Sequence, residues 1–156
     1  MNYYDSISKG YNSLYMNEQC KKFEIIKKLV KGGLVLDLGC GTGFITEKLG
    51  NVVGIDYSIN MLKLCQKGLN LVCANAELLP FKDNSFDTII SMTVLQDVDD
   101  VVSSVSEIKR VLKPDGRIIL SVLNKKKIEE IRKVLKDNFR NLSEKENYND
   151  VVFFTQ

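Results

Sequence analysis

Short apolar runs alternate with amphipathic segments along the 156-residue chain. Apolar runs bounded by turn residues predict buried strands, which we place at 34–38, 52–56, 69–73, 86–91 and 117–123. Apolar residues at helical spacing predict helices at about 17–31, 44–49, 59–67, 98–112 and 124–136 or 137. Two further short strands are predicted near 139–142 and 151–155.

Turn residues mark several of these boundaries. Ser58 is a favoured N-cap for the helix that follows it, and Gly68 is suited to end that helix. The helix ahead of Pro114 has to stop before the proline, and Asn124 is placed to cap the next helix.

Alternation of strands and helices predicts an α/β fold, a doubly wound and mostly parallel sheet with helices on both faces. The last two strands are separated by too few residues for a helical crossover, so we expect them to be antiparallel. We expect a single domain over 1–156, with an N-terminal segment at 1–33, a core at 34–123 and a helix plus hairpin at 124–156.

The first strand runs into a glycine-rich turn, and a carboxylate ends the second strand. Gly39, Gly41 and Gly43 allow backbone to approach a ligand closely. Asp56, nineteen residues after Asp37, can accept hydrogen bonds from two ribose hydroxyls. This combination predicts a nucleotide site.

The glycine spacing narrows the choice of nucleotide. A dinucleotide fingerprint G-x-G-x-x-G would need glycine at position 44, where the chain has Phe44. No Gly-Lys-Ser/Thr follows, which excludes a P-loop. The turn suits a ligand that has a ribose and needs no pyrophosphate cradle, and a nicotinamide-dependent oxidoreductase is disfavoured.

Five segments together resemble a known family. V-L-D-L-G-C-G-T-G at 35–43 resembles motif I of class I S-adenosylmethionine-dependent methyltransferases, and G-I-D-Y-S at 54–58 resembles their second motif. Similar correspondences hold for 75–81, 85–91 and 110–117. Residues 4–15 resemble the subgroup that includes quinone-biosynthesis and tRNA-wobble methyltransferases. The resemblance implies a Rossmann-like sheet of seven strands in the order 3-2-1-4-5-7-6, with strand seven antiparallel.

The resemblance also implies S-adenosyl-L-methionine as cofactor. Gly39 and Gly41 would lie against its methionine and ribose, and Asp56 would hold both ribose hydroxyls. Tyr57 and Met61 would cover one face of the adenine, although Met61 fits ordinary core packing equally well.

Four further cofactor residues follow from the same resemblance. Asp37 would orient the glycine turn or the cofactor's amino group. Asn75 stands where the family commonly has Asp and still offers one acceptor oxygen to the adenine amino group, while Ala76 would present its backbone N–H. Tyr11 would close over the methionine end, or act as a helix staple.

The segment after the fourth predicted strand is the expected acceptor side, because ligands of open sheets lie beyond the carboxyl ends of the strands. Thr93, Gln96 and Asp97 are the candidates there. Thr93 is also a cofactor-side candidate, and helix capping explains Asp97 nearly as well. The segment lacks Asn/Asp-Pro-Pro-Tyr and a Pro-Cys nucleophile, which disfavours adenine or glutamine amide methylation and pyrimidine C5 chemistry.

Composition limits the partners and the compartment. The net charge of +2 gives no general nucleic-acid footprint, and the lysines at 125–127 suit either a solvated helix face or an RNA or acidic partner. No membrane span or signal peptide is visible, so we expect a cytoplasmic protein. Cysteines 20, 40, 65 and 73 lack C-x-x-C spacing and the chain has no histidine, so we expect buried free thiols and no metal.

Methyl transfer to a small molecule or RNA is the predicted function, and a non-catalytic cofactor-binding module or subunit is the alternative. Strand 69–73 would form an apolar sheet edge, where some short relatives take a small zinc-binding activator. No lid insertion is visible, so either the acceptor is large, a partner completes the pocket, or residues 1–15 fold over the site as a lid. We favour the lid, with the tyrosines of this segment as its covering surface, although they could instead stack on nucleobases.

Overall fold

The computed structural model describes residues 11–30, 32–125, 127–147 and 149–156. Its strands are β1 (Val35–Leu38), β2 (Val52–Asp56), β3 (Leu71–Cys73), β4 (Phe86–Met92), β5 (Leu112–Leu123), β6 (Leu142–Asn147) and β7 (Asp150–Thr155). Its helices are α1 (Tyr11–Ile26), α2 (Ile59–Leu62), α3 (Val101–Val111), α4 (Ile128–Asn138) and a 3-10 helix (Thr46–Lys48).

All seven strands form one sheet in the order β3-β2-β1-β4-β5-β7-β6. Strands β1 to β5 pair in parallel, and β7 runs antiparallel to both β5 and β6. The predicted strand order and the antiparallel final hairpin are therefore confirmed. Strand β1 lies at the centre of the sheet, so its carboxyl end is beside those of β2 and β4. The order of the strands reverses at this point.

Alternate residues of the central strands bury themselves on opposite faces of the sheet. On one face, Leu36 and Leu38 pack in a cluster that includes Ile108 of α3. On the other face, Val35 lies in a cluster with Phe23 of α1. Because both faces are covered, the central strands are apolar at adjacent positions, as parallel sheets require.

A buried ion pair ties α1 to β7. The Lys22 ammonium lies 2.8 Å from the Asp150 carboxylate, and both side chains are at most 2% exposed. Glu18 also pairs with Lys22, at 2.7 Å, and the Ser121 hydroxyl donates to Asp150. Because a buried charge is costly without a partner of opposite charge, this ion pair fixes the position of α1 on the sheet.

Several predicted helix bounds are wrong. Helix α1 ends at Ile26 rather than near residue 31, and the segment 44–49 forms only the short 3-10 helix. The predicted helix 59–67 is confined to α2, where Ser58 is the N-cap as predicted and accepts a hydrogen bond from the Met61 amide at 3.2 Å. These segments are too short for helix nucleation to be favourable without packing, so tertiary contacts decide their form.

The predicted cap at Asn124 is wrong, and so is capping as the alternative reading of Asp97. Asp100, rather than Asp97, caps α3, and its side chain accepts hydrogen bonds from the amides of residues 102 and 103. Helix α4 begins after Lys127, and the Asn124 amide instead donates to the Asn149 carbonyl at 2.8 Å. Strand β6 consequently starts at residue 142 rather than 139, because α4 continues to residue 138.

Candidate functional site

The glycine-rich turn brings backbone close to the end of β4. Gly39 and Gly41 adopt φ angles of +76° and +56°, in the left-handed region that favours glycine. A Cβ atom on Gly39 would lie 2.2 Å from Cγ2 of Val94. Only a residue without a side chain fits at Gly39, so the turn can lie directly against the segment that follows β4.

Asp56, at the end of β2, is held by backbone amides from two directions. Its Oδ2 accepts a hydrogen bond from the Gly41 amide at 2.8 Å, and its Oδ1 accepts one from the Ser58 amide at 2.8 Å. Hydrogen bonds to a charged acceptor are stronger than neutral ones. The carboxylate therefore has a fixed orientation at the mouth between β1 and β2.

A cavity of about 640 Å³ opens across the carboxyl ends of β1, β2 and β4. From the β1 and β2 side, five predicted residues line it: Gly39, Gly41, Asp56, Tyr57 and Met61. The loops after β3 and β4 contribute the other predicted residues that line it: Asn75, Ala76, Thr93 and Asp97. The structure thus brings nine of the predicted residues around one space, of a volume typical of small-ligand sites.

Met61 and Tyr57, the two residues predicted to cover one face of the adenine, differ greatly in solvent exposure. Met61 is 2% exposed, and its Cε atom would lie 3.3 Å from a Cβ on Gly41. Tyr57 is 66% exposed. The Met61 side chain serves core packing and lines the cavity at once, so both readings of this residue from the sequence apply.

Asp37 lies outside the cavity lining. Its carboxylate is buried and accepts a hydrogen bond from the Thr46 hydroxyl at 2.6 Å. Burial raises the pKa of Asp37 to about 6; the nearby Asp56 charge adds to the rise, and the Thr46 hydrogen bond opposes it. The bond to Thr46 ties the end of β1 to the 3-10 helix, while a contact with the cofactor's amino group stays a prediction.

Gln96 also lies outside the lining, and it supports two residues that line the cavity. Its amide nitrogen donates to the Thr93 carbonyl and, at 3.0 Å, to Oδ2 of Asp97. The side chain of Tyr11, the remaining cofactor candidate, and most of the predicted lid at 1–15 lie outside the described residues.

Thr93 has an unusual backbone conformation. Its φ angle is +56°, which is strained for a β-branched residue. The conformation is held by the Thr93 amide, which donates to the Ser121 carbonyl at 2.7 Å, and by the hydroxyl, which donates to the Met92 carbonyl at 2.7 Å. Backbone strain of this kind concentrates at functional sites.

Residues that the sequence reasoning missed include Glu77, Val94 and Asp99, all of which line the cavity. Glu77 lies within the motif 75–81, directly after two predicted cofactor residues, and that adjacency was the available signal. Among the described residues of the lining, every charged side chain is acidic: Asp56, Glu77, Asp97 and Asp99. The resulting negative potential favours a cationic ligand.

The cysteines only partly match the expectation of buried free thiols. All four are free; Cys40 is buried, Cys20 and Cys65 are partly buried, and Cys73 is exposed. A hydrogen bond between the thiols of Cys40 and Cys65 raises the pKa of Cys40 and lowers that of Cys65. The Cys65 thiol also donates to the Gly41 carbonyl at 3.4 Å, so it connects the thiol pair to the glycine-rich turn.

Two other predictions concern surfaces. Lys127, at the start of α4, donates to the Val98 carbonyl at 3.0 Å, while Lys125 is exposed and Lys126 lies outside the described residues. Where the structure is described, no helix combines the length and apolar character needed to cross a bilayer. An RNA contact at 125–127 and a cytoplasmic location stay predictions.

These features define a nucleoside-binding α/β domain suited to a cationic cofactor: the strand order, the glycine-rich turn, the Asp56 carboxylate held by two backbone amides, and the acidic lining of the cavity. A family model described as a methyltransferase domain matches residues 36–120. The chain belongs to this family of S-adenosylmethionine-dependent methyltransferases. The predicted family, fold and cofactor are confirmed.

Two relatives are similar over most of this chain. An uncharacterized protein of Methanocaldococcus jannaschii is 43% identical over 144 residues, which cover 88% of this chain and 57% of the relative. The ubiquinone/menaquinone biosynthesis C-methyltransferase of Shewanella piezotolerans is 37% identical over 139 residues, covering 78% of this chain and 55% of the enzyme. The chain thus spans a little over half the length of these relatives.

Solved structures share the fold. The methyltransferase in a complex with the Haloferax volcanii Trm112 activator has a TM-score of 0.80 and 18% identity, covering 99% of this chain and 97% of that one. An S-adenosylmethionine-dependent methyltransferase of Thermotoga maritima has a TM-score of 0.77 and 21% identity, covering 97% and 96%.

Proposed function

We propose that the protein transfers a methyl group from S-adenosylmethionine to a nucleophilic acceptor, either a small molecule or RNA. The observation that carries the proposal is the Asp56 carboxylate, fixed by the Gly41 amide at 2.8 Å on the edge of the cavity. A fixed carboxylate beside a glycine-rich turn matches a ribose whose base and methionine extend to either side.

The lining residues divide naturally between the parts of the cofactor. Asp56 would accept from the ribose hydroxyls, and the Gly39–Gly41 backbone would contact the methionine portion. Tyr57 and Met61 would cover the adenine on one face, while Asn75 and Ala76 would bind its edge. The acidic lining supports this placement, because the sulfonium and amino groups are positive.

When bound, the cofactor supplies an electrophilic methyl group on sulfur. The protein's own contribution is to hold an acceptor in line with that methyl group at close range, an effect worth several kcal/mol of barrier. The chain has no histidine, so the commonest general base is missing from its sequence. An acceptor that is already nucleophilic needs no base, and Asp97, which lines the cavity, is our candidate to take a proton from one that does.

The acceptor would enter beside the β4 loop, defined here as residues 93–100. Thr93 and Asp97 line the cavity there, and Gln96 supports both through its side-chain amide. These three residues are our acceptor-side candidates.

Calorimetry tests the cofactor assignment. S-Adenosylmethionine and S-adenosylhomocysteine are each expected to bind at one site per chain, and NAD is expected not to bind. Radiolabelled methyl transfer onto cell extract, separated into RNA, protein and small molecules, then tests catalysis. Binding without label in any fraction would support the alternative of a non-catalytic module, and no binding would refute the proposal.

A second candidate is a methyltransferase that requires a partner protein. The two edges of the sheet differ, because β6 carries alternating charges at Glu144, Lys145 and Glu146, whereas β3 is short and apolar. Charged edges resist pairing and apolar edges invite it. The Haloferax volcanii structure is a complex with a methyltransferase activator, which supports a partner for this chain as well. We place a small zinc-binding activator at the β3 edge, the strand predicted at 69–73.

Size-exclusion chromatography of the protein alone separates these cases. A monomer that remains in solution and binds the cofactor would count against an obligate partner. A protein that aggregates alone, but becomes monodisperse when a cognate activator is co-expressed, would support one. Replacing Val72 with Lys, on the β3 edge, should abolish that rescue, and replacing Lys145 with Ala, on the β6 edge, should not.

A further inference from the structure

Glu77 joins the two loops that enclose the cavity. We call residues 74–79, which follow β3, the β3 loop. Oε1 of Glu77 accepts hydrogen bonds from the Asp99 amide at 3.0 Å and the Asp100 amide at 2.9 Å, both in the β4 loop. Its own amide donates to Oδ1 of Asn75 at 3.0 Å. One side chain thus ties the segment predicted to bind adenine to the segment predicted to hold the acceptor.

The two amides that Glu77 binds stand directly before α3. Asp100 caps that helix, and its carboxylate accepts from the Val102 and Ser103 amides at 2.9 and 3.1 Å. A carboxylate is favoured at this end of a helix, because the first amides point outward and the helix dipole is positive there. The Glu77 contact therefore fixes the end of the β4 loop at the residue that caps α3.

We infer that Glu77 is a positioning residue, through which a ligand that contacts the β3 loop also makes the β4 loop more ordered. This inference rests on the proposed function. Asn75 and Ala76 line the cavity, so a bound adenine restricts the backbone that carries Glu77. Asp97 and Asp99 line the opposite side. Restriction of the first loop lowers the entropic cost of ordering the second, which couples the two sites.

The functional consequence is an order of events. Cofactor binding would prepare the acceptor side, so the acceptor would bind well only after the cofactor. No carboxylate oxygen of Glu77 needs to touch the cofactor for this coupling, because the backbone of the β3 loop carries the restriction.

A second glutamate provides a matched control. Oε2 of Glu107 accepts from the Leu79 amide at 2.7 Å, and Arg110 binds both Glu107 and the Leu79 carbonyl. This contact also anchors the β3 loop to α3, but at its far end, and none of these three residues lines the cavity. Loss of Glu107 should loosen the fold without breaking the link between the loops.

Hydrogen exchange with and without saturating S-adenosylhomocysteine tests the inference. In the wild type, the ligand is expected to slow exchange of the amides in 97–103 by about tenfold, the upper end of what one ordinary hydrogen bond contributes. E77Q keeps Oε1 and should retain the effect. E77A should lose it while binding the ligand, and E107A should retain it. E77D, one methylene shorter, should behave like E77A and serves if E77A does not fold.

The outcomes separate this inference from the proposed function. Ligand binding by calorimetry with unchanged exchange at 97–103 in the wild type would overturn the inference and leave the proposed function standing. An undiminished effect in E77A or E77D would overturn it as well, because direct contact with the ligand would then explain the protection. Absence of any ligand binding would refute both.

Discussion

Asp56 ends β2 and Gly41 lies in the turn that follows β1, and a 2.8 Å hydrogen bond joins the Asp56 carboxylate to the Gly41 amide. The contact sets the position of the glycine-rich turn relative to β2. It also prevents the carboxylate from rotating away from the cavity, so the binding group and the turn that frames it form one rigid unit.

Replacing Asp56 with Ala should weaken S-adenosylmethionine binding by roughly 1.5–3 kcal/mol, the scale for losing a hydrogen bond to a charged group. Calorimetry measures the change. Asp87→Ala is a matched control, because that carboxylate also accepts from a backbone amide, that of Leu34 at 2.8 Å, but lies outside the cavity lining. Equal affinity in the Asp56 variant and the wild type would show that the ribose binds elsewhere.

Replacing Gly39 with Ala should destabilise the fold by roughly 2–4 kcal/mol, because the backbone is left-handed there and the new methyl group would collide with Val94. Val94 lines the cavity, so cofactor affinity should fall as well. Gly50→Ala is the control, since a Cβ atom at Gly50 meets nothing within 4 Å. Chemical denaturation and calorimetry give the two quantities, and a Gly39 variant as stable as the control would contradict the prediction.

Asp37 should impose a pH-dependent cost on stability. Burial raises its pKa in the folded protein from 3.8 to about 6, so between these values the folded state binds more protons than the unfolded state. Stability contributed by this group therefore falls as pH rises from about 4 to 6, by on the order of 3 kcal/mol. Asp37→Asn keeps an oxygen for the Thr46 hydroxyl and avoids the buried charge.

The Asp37→Asn variant should accordingly be more stable than the wild type at pH 7.5, and the difference should vanish near pH 4. Asp87→Asn should show the opposite sign, because a hydrogen bond from Lys113 lowers the pKa of Asp87. Denaturation midpoints across this pH range measure both differences. A destabilised Asp37 variant at pH 7.5 would contradict the prediction.

The buried pair of Lys22 and Asp150 should give strong coupling in a double-mutant cycle. Lys22→Met alone should cost roughly 3–5 kcal/mol, because it leaves the Asp150 carboxylate buried without its main counter-charge. The double variant Lys22→Met with Asp150→Asn should cost less than the single one. Lys27→Met is the control, since the Lys27–Glu24 pair is exposed and should contribute less than about 1 kcal/mol. Additive costs at positions 22 and 150 would refute the coupling.

The parallel strands were located well from the sequence because each contains an apolar run bounded by turn residues, and β2 has the same bounds as its prediction. Strand β5 begins at residue 112 rather than 117, and β6 was misplaced because its sequence, L-S-E-K-E-N, is polar. Helices were predicted less well. The segment 59–67 has helical spacing, yet only Ile59–Leu62 is α-helical. Spacing reports which residues can face the core, but helix length depends on the surface available for packing, which the sequence does not reveal.

The candidate site shows the same division. The residues at the strand ends, such as Gly39 and Asp56, could be found because strand and turn signals place them. Glu77 could not, because its partners lie 22 and 23 residues away in another loop and involve backbone amides. Capping, the alternative reading of Asp97, fails for a related reason, since Asp97, Asp99 and Asp100 are equally good caps by residue type and only the packing of α3 selects Asp100.

The pairing of Lys22 with Asp150 has a consequence for synthesis of the chain. Helix α1 is translated before β7, which supplies the buried carboxylate that pairs, together with Glu18, with the Lys22 ammonium of α1. Until β7 has been made, the Lys22 ammonium lacks its buried partner, so α1 should pack less firmly on the sheet and its apolar side, with Phe23 and Ile26, should be more accessible to chaperones and proteases. A product truncated within the final hairpin should therefore be degraded rapidly, even though its whole cofactor-binding half is present.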